Sequence, residues 1–136
     1  MAEWLVAVLL LFLGAVVYLL LRPNTLLMFR MADVVGATDI INRLRLESSS
    51  IILPEWLVFS LPAALWATAY ILIIDALWSD ARFLIRIALA ALMPFVGMVA
   101  EMMQRMGWVR GTFDTLDLVF YAVPYMIYVF YVIMSK

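Results

Sequence analysis

Four long apolar runs, separated by shorter polar stretches, set the pattern of this chain. They cover about residues 4–21, 54–78, 82–105 and 114–134. The first run has no charged residue, and as a helix it would be about 27 Å long, close to the ~30 Å hydrocarbon core of a bilayer. Because a chain in lipid must satisfy its own backbone polar groups, the pattern predicts an all-α integral membrane protein. We expect one transmembrane domain, residues 1–136, folded as a four-helix bundle.

The segment between the first two runs, residues 22–53, is less regular. Apolar residues stand beside arginines here, in two pieces that are too short to cross a bilayer. Asn24 or Thr25 can cap the first piece, and Thr38 or Asp39 can cap the second. We therefore expect two short helices that lie in the headgroup region, as amphipathic surface helices do.

The second and third runs are joined by a turn of only a few residues, 79–81, so they must be antiparallel neighbours. Asp75 precedes this turn, and Arg82 and Arg86 follow it. Charges near the ends of membrane helices reach water or one another at low cost. We therefore expect a structural ion pair between Asp75 and these two arginines.

A polar cluster is predicted where the third run ends and the fourth begins. Glu101 shares a helical face with the small residues Ala90 and Gly97, so a neighbouring helix can approach and the carboxylate should point inward. The short connection brings other polar groups to the same level. The candidates for binding a ligand or exchanging a proton are Glu101, Gln104, Arg110, Asp114, Asp117, Tyr121 and Tyr125.

The fourth run carries tyrosines on the face of Asp117, at spacings of three and four residues. Tyr125 and Tyr128 lie too deep for an interfacial aromatic belt. Because a phenol hydroxyl in hydrocarbon needs a hydrogen-bond partner, this face is expected to look into the bundle.

The same acidic residues also have a structural interpretation. Asp114 can cap the fourth helix, and Asp117 is favourable in its first turn. Glu101 can pair with Arg105 one turn later. These alternatives assign the cluster to helix termination rather than to ligand binding.

Composition changes the picture chiefly by exclusion. The chain is 68% hydrophobic and 14% charged, with a mean hydropathy of +1.10, far more apolar than a soluble domain. It has neither cysteine nor histidine, which excludes thiolate chemistry and removes the commonest general base and metal ligand. With a net charge of −1 and no basic run, nucleic acid is not expected as a partner. No cofactor and no metal are predicted.

The distribution of basic residues predicts the orientation. Six of them lie in the two larger connections and three on the other side. Because positive residues favour the cytoplasmic side, both termini are expected outside. The six are Arg22, Arg30, Arg43, Arg45, Arg105 and Arg110, and the three are Arg82, Arg86 and Lys136.

The order of polar residues around the last connection resembles the VanZ-like family of bacterial membrane proteins. In that family a Glu-x-x-Gln run is followed by an arginine and then by Asp-x-x-x-Asn with a glycine. Glu101, Gln104, Arg110 and Asp117 match, with one extra residue before the aspartate. Tyr121 stands in place of the asparagine, and Pro124 stands near the glycine position.

The resemblance covers about residues 85–130. It implies a compact helical bundle in a bacterial cytoplasmic (inner) membrane. It also implies a link to envelope-directed glycopeptide resistance or to lipid-like substrates.

Three functions remain open at this point. The leading one is a non-enzymatic bundle that binds or moves a lipid or another amphiphile through the inward polar cluster. The second is an intramembrane enzyme acting on a lipid-linked substrate, in which paired carboxylates do acid–base work without histidine. A metal held by Glu101, Asp114 and Asp117 would have only oxygen ligands, as Mg²⁺ and Ca²⁺ do. The third is a structural subunit that contacts a membrane-protein partner, or a homo-oligomeric pore.

Overall fold

The computed structural model describes residues 2–22, 27–48 and 52–135. Within these ranges the chain is helical and has no strand, which confirms the predicted class. The helices are α1 (Ala2–Leu21), α2 (Leu27–Val34), α3 (Thr38–Ser48), α4 (Glu55–Phe59), α5 (Leu61–Leu77), α6 (Phe83–Arg105) and α7 (Thr115–Met134). The predicted caps Asn24 and Thr25 and the basic residue Lys136 lie outside the described residues.

Four parts of the described chain are long and apolar enough to cross a membrane, as the sequence predicts. They are Glu3–Leu21, Glu55–Leu77, Phe83–Arg105 and Thr115–Met134. The protein is therefore a multi-pass membrane protein. Within it the prediction of four spanning helices, with two short helices between the first and the second, is confirmed.

Helix α5 is the centre of the bundle, since it packs against α1, α6 and α7. Close approach is possible because the α5 side chains Ala67 and Ala69 are small and fully buried. On the α1 side, the indole of Trp66 lies against Gly14, where a Cβ atom would overlap the ring. The Trp66 Nε1 also donates to the carbonyl of Leu11 at 3.4 Å. The helix pair α1–α5 is thus held by one large side chain fitted over a glycine.

The second span is interrupted near its start, where α4 ends and α5 begins. Pro62 lies in the first turn of α5 and has no N–H to donate to the carbonyl of Val58, so the helix cannot continue without a break. Ser60 occupies the break, and its carbonyl accepts from the N–H groups of Ala63 and Ala64. Phe59 and Ser60 thus lie beside the C-terminal end of α6 and the N-terminal end of α7.

The C-terminus of α1 is held by an arginine from α3. The Nη1 of Arg45 donates to the carbonyls of Leu19 and Arg22, each at 2.7 Å. These carbonyls lie in the last turn of α1, where intrahelical partners are missing. The short helix α3 is therefore bound to the end of the first span, and this contact positions Arg22.

A second polar group lies at the other end of the spanning helices. Arg86 forms an ion pair with Asp75, and its Nε donates to the same oxygen, Oδ1, at 3.2 Å. The hydroxyl of Tyr128 donates to this oxygen as well, at 2.6 Å. The predicted pairing of Asp75 with Arg86 is confirmed. The part of the expectation that included Arg82 is wrong: within the described residues Arg82 forms no ion pair and its side chain is exposed, because it precedes the first turn of α6.

Both deep tyrosines of α7 face the bundle, as their spacing predicts. Tyr128 is buried on Asp75, and the hydroxyl of Tyr125 donates to the carbonyl of Ile87 at 3.2 Å. A partly buried phenol in a membrane helix is satisfied here by the backbone of α6, and this links α6 to α7.

The orientation can be tested with single cysteines because the chain has none of its own. Ser79 and Thr112 are both exposed and lie in connections at opposite ends of α6. From the arginine distribution, an impermeant thiol reagent should modify Ser79→Cys in intact cells and spare Thr112→Cys. Both should react once the membrane is permeabilised. Labelling of Thr112→Cys alone in intact cells would reverse the assigned orientation.

Candidate functional site

The candidate site lies where α6 ends and α7 begins. Glu101 is buried, with 7% of its surface exposed, although it is one turn from the end of a membrane helix. Its Oε2 accepts a long hydrogen bond, 3.4 Å, from the backbone N–H of Asp114. Asp114 is the N-cap of α7, and its Oδ1 accepts from the N–H of Leu116 at 2.8 Å. The glutamate is therefore tied to the start of the next helix.

A cavity of about 520 Å³ opens beside Glu101. Five of the seven sequence-predicted candidates line it together: Glu101, Gln104, Arg110, Asp114 and Asp117. The other lining residues are Arg22, Phe59, Gly111, Thr112 and Phe113. The lining carries three carboxylates and two guanidinium groups, so it is rich in charge for a site at the end of membrane-spanning helices.

A smaller cavity of about 170 Å³ shares four lining residues with the first and extends it toward α1. Tyr121 lines this inner part, together with Tyr18 and Trp66. The ring of Tyr121 packs on Gly97, where a Cβ atom would lie 2.5 Å from its Cζ. The glycine allows α7 to approach α6 closely enough for Tyr121 to reach the site.

Tyr125, the remaining candidate, is not part of this site. Its hydroxyl lies on the carbonyl of Ile87, in the first half of α6, whereas Glu101 lies near the end of that helix. The sequence pattern places Tyr121 and Tyr125 on one face of α7, and both side chains do face the bundle. Tyr125 lies one turn farther from the start of α7, about 5.4 Å along the axis, and this distance separates it from Glu101.

The connection between α6 and α7 shapes the rim of the cavity. Gly107 has a φ of 74° and Gly111 a φ of 153°, backbone conformations that favour glycine. The carboxamide of Gln104 packs against Gly111, where an added Cβ would lie 2.5 Å from Oε1. Glycine at position 111 thus makes room for the Gln104 side chain at the edge of the site.

Arg22 is a site residue that sequence reasoning missed. It lies at the end of α1, and its Nη2 donates to the carbonyl of Phe59. Its guanidinium carbon is 5.1 Å from the ring centroid of Tyr18 and 5.2 Å from that of Phe59. The available signal was an arginine that directly follows the first span, on the membrane side to which Glu101 also belongs.

Three buried side-chain atoms within the described residues lack a hydrogen-bond partner; two belong to residues that line the cavity, and the third belongs to Ser60, which lies beside Asp117. They are the Nε of Arg22, the Oγ of Ser60 and the Oδ1 of Asp117. Ser60 is fully buried and adjoins the Asp117 carboxylate. Buried polar atoms are almost always paired with protein or ordered water, so a group of unpaired ones calls for an explanation such as bound water or a bound polar group.

The structural alternatives divide at this point. Asp114 does cap α7, and Asp117 lies in its first turn, as that interpretation predicts. The pairing of Glu101 with Arg105 is wrong, because the Arg105 guanidinium instead lies over the ring of Phe113, 5.3 Å from its centroid. Helix capping therefore accounts for Asp114 and for one hydrogen bond of Glu101, and it leaves the unpaired Asp117 Oδ1 unexplained.

The carboxylates are not arranged as a metal centre. Within the described part of the chain, no group of three or more acidic side chains is placed to hold a metal ion. The Mg²⁺ or Ca²⁺ site considered for an enzyme is therefore not formed by Glu101, Asp114 and Asp117.

Comparisons with protein-family models, curated proteins and solved structures gave no significant match for this chain.

Proposed function

We propose that this protein binds or moves a lipid or another amphiphile in a bacterial cytoplasmic membrane, and that the cavity beside Glu101 receives the polar end of that molecule. The observation that carries the proposal is the set of unpaired buried polar atoms around one cavity: Arg22 Nε, Ser60 Oγ and Asp117 Oδ1. In a site that only ended two helices, we expect such atoms to be paired within the chain.

The surroundings of the cavity favour an amphiphile over a fully polar ligand. The connection beside it exposes large apolar side chains, Met106, Trp108 and Val109, and Trp108 is 74% exposed. Tryptophan at the end of a membrane helix is typical of the headgroup level. A molecule at this level would have its apolar part in the hydrocarbon and its polar part within reach of the carboxylates.

The resemblance to VanZ-like proteins agrees with this proposal, since it implies a lipid-like substrate or glycopeptide resistance. A metal-dependent enzyme acting on a lipid-linked substrate is less well supported, because the carboxylates form no metal centre among the described residues. A structural subunit or homo-oligomeric pore would use the apolar helix faces and would leave the unpaired atoms of the site without a purpose.

The proposal is tested by Glu101→Gln, which keeps the shape of the side chain and removes its charge. We expect the variant to fold, because the carboxamide oxygen can still accept from the N–H of Asp114. Retention of a co-purifying amphiphile should fall at least roughly tenfold, the effect of about 1.4 kcal/mol in binding free energy. The measurement is mass spectrometry of organic extracts from protein purified in a neutral detergent.

Glu47→Gln is the matched control, since Glu47 is exposed on α3 and outside the cavity. This control should retain as much amphiphile as the wild type. Unchanged retention and unchanged thermal stability in Glu101→Gln would overturn the functional interpretation and leave the cluster as a helix connection.

A further inference from the structure

The charge of the ligand can be inferred because the carboxylates of Glu101 and Asp117 have no ion-pair partner among the described residues. Within the described residues Glu101 and Asp117 form no ion pair, whereas Asp75 at the other end of the bundle is paired with Arg86. Buried charges are normally paired with an opposite charge. The cavity beside Glu101 thus has one more carboxylate than guanidinium groups in its lining, and neither the buried Glu101 nor the partly buried Asp117 forms an ion pair within the described residues.

The arginines near the site do not supply this charge by direct contact. Arg22 lines the cavity and its charge acts on both carboxylates through space, but its Nη2 is bound to the Phe59 carbonyl, its Nε has no partner and it forms no ion pair with either group. Arg105 lies over Phe113. Arg110 is on the exposed rim. None of these three arginines forms an ion pair with Glu101 or Asp117 in the part of the chain that the structure describes.

The unpartnered atoms on this side of the cavity are suited to a hydrogen-bond donor. Asp117 Oδ1 can only accept when ionised, and the adjoining, fully buried Ser60 hydroxyl can donate to this carboxylate while its own oxygen accepts from a further donor. Glu101 accepts one hydrogen bond from the N–H of Asp114, and each carboxylate oxygen can accept more than one hydrogen bond. An ammonium group carries three N–H donors, no acceptor and a positive charge, so it fits these oxygens in both charge and hydrogen bonding.

We propose that the amphiphile carries an ammonium group and that this group binds between Glu101 and Asp117, beside Ser60. This inference rests on the proposed function and adds the chemical class of the ligand. An anionic headgroup, such as a phosphate, would meet the like charges of the buried Glu101 and the partly buried Asp117 and would bind less well for that reason. The inner cavity of about 170 Å³ has room for a small headgroup but not for a large sugar.

The test compares single-chain amphiphiles that differ only in the headgroup, added to the protein in dodecyl maltoside micelles. Dodecylammonium should bind saturably and at least tenfold more tightly than dodecyl phosphate. Asp117→Asn and Glu101→Gln should each remove this preference. Asp80→Asn is the matched control, because Asp80 is exposed in the turn between α5 and α6. Ser60→Ala should weaken dodecylammonium binding without creating a preference for phosphate, and it keeps the inference testable if a charge variant does not fold.

The possible results separate this inference from the function on which it rests. Equal or tighter binding of dodecyl phosphate that still depends on Glu101 would overturn the ammonium inference and support an amphiphile site. Ethylammonium binding as tightly as dodecylammonium would support the ammonium group and overturn the amphiphile. Absence of saturable binding by every amphiphile would overturn both.

Discussion

Asp75→Ala should lower the free energy of unfolding by about 3 kcal/mol, the largest loss expected from a single charge in this protein. Asp75 Oδ1 accepts from both Arg86 and Tyr128, and the side chains of the ion pair are only 14% and 22% exposed. Alanine would leave the Arg86 charge partly buried without a counterion and the Tyr128 hydroxyl without an acceptor. Reversible unfolding in mixed detergent micelles, followed by circular dichroism, measures the effect.

A double-mutant cycle separates the pair from the packing of each side chain. The double variant Asp75→Ala with Arg86→Ala should lose less stability than the two single losses added together, since the neutral pair leaves no buried charge. Tyr128→Phe should cost about 1 kcal/mol, because Asp75 keeps its ion pair. Asp80→Ala, in the exposed turn, should stay within roughly 0.5 kcal/mol of the wild type. Additive losses for Asp75 and Arg86 would show that the ion pair contributes nothing.

Gly97→Leu is expected to have the second large effect, on stability and on the site together. A Cβ at position 97 would lie 2.5 Å from Cζ of Tyr121, inside van der Waals contact, and a leucine would force the ring away. Overpacking of this kind costs about 1–3 kcal/mol. Glu101 follows Gly97 by one helical turn, so the displacement should also open the candidate site and lower amphiphile retention.

Val96→Leu is the matched control for this prediction. Val96 is the preceding residue of α6, is 64% exposed, and gains one methylene on the outer surface of the bundle. It should change neither stability nor retention. Adding Tyr121→Ala to Gly97→Leu should recover part of the lost stability by making room for the new side chain. Equal losses for Gly97→Leu and Val96→Leu would contradict the close contact between α6 and α7.

The two polar groups of the bundle differ in how fully they are satisfied. At one end, Asp75, Arg86 and Tyr128 bond to one another, so this group holds α5, α6 and α7 together and needs no ligand. At the other end, the atoms around Asp117 remain unpaired. Satisfied polar networks stabilise a fold, and unsatisfied ones lower its stability unless something else binds them. This contrast is why we assign a structural role to the first group and propose ligand binding for the second.

The sequence by itself determined the class of fold and the roles of two site residues, Glu101 and Asp114. Length and hydropathy predict the four spans because a bilayer requires about 20 apolar residues per helix and internal pairing of the backbone. The small neighbours of Glu101 predict its inward position, and the proximity of Asp114 along the chain predicts its capping role. These inferences succeed because each depends on one helix or on one short connection.

Only the tertiary structure decided which distant residues complete the site. Arg22, which follows α1, lines the cavity, and Ser60, in the break before α5, lies against Asp117; both positions depend on contacts between helices. The same holds for the choice of Arg86 over Arg82 as the partner of Asp75, and for the separation of Tyr125 from Glu101. Periodicity tells which face of a helix is polar. The neighbour that this face meets, and the depth at which it meets it, depend on how the helices pack, which no single segment encodes.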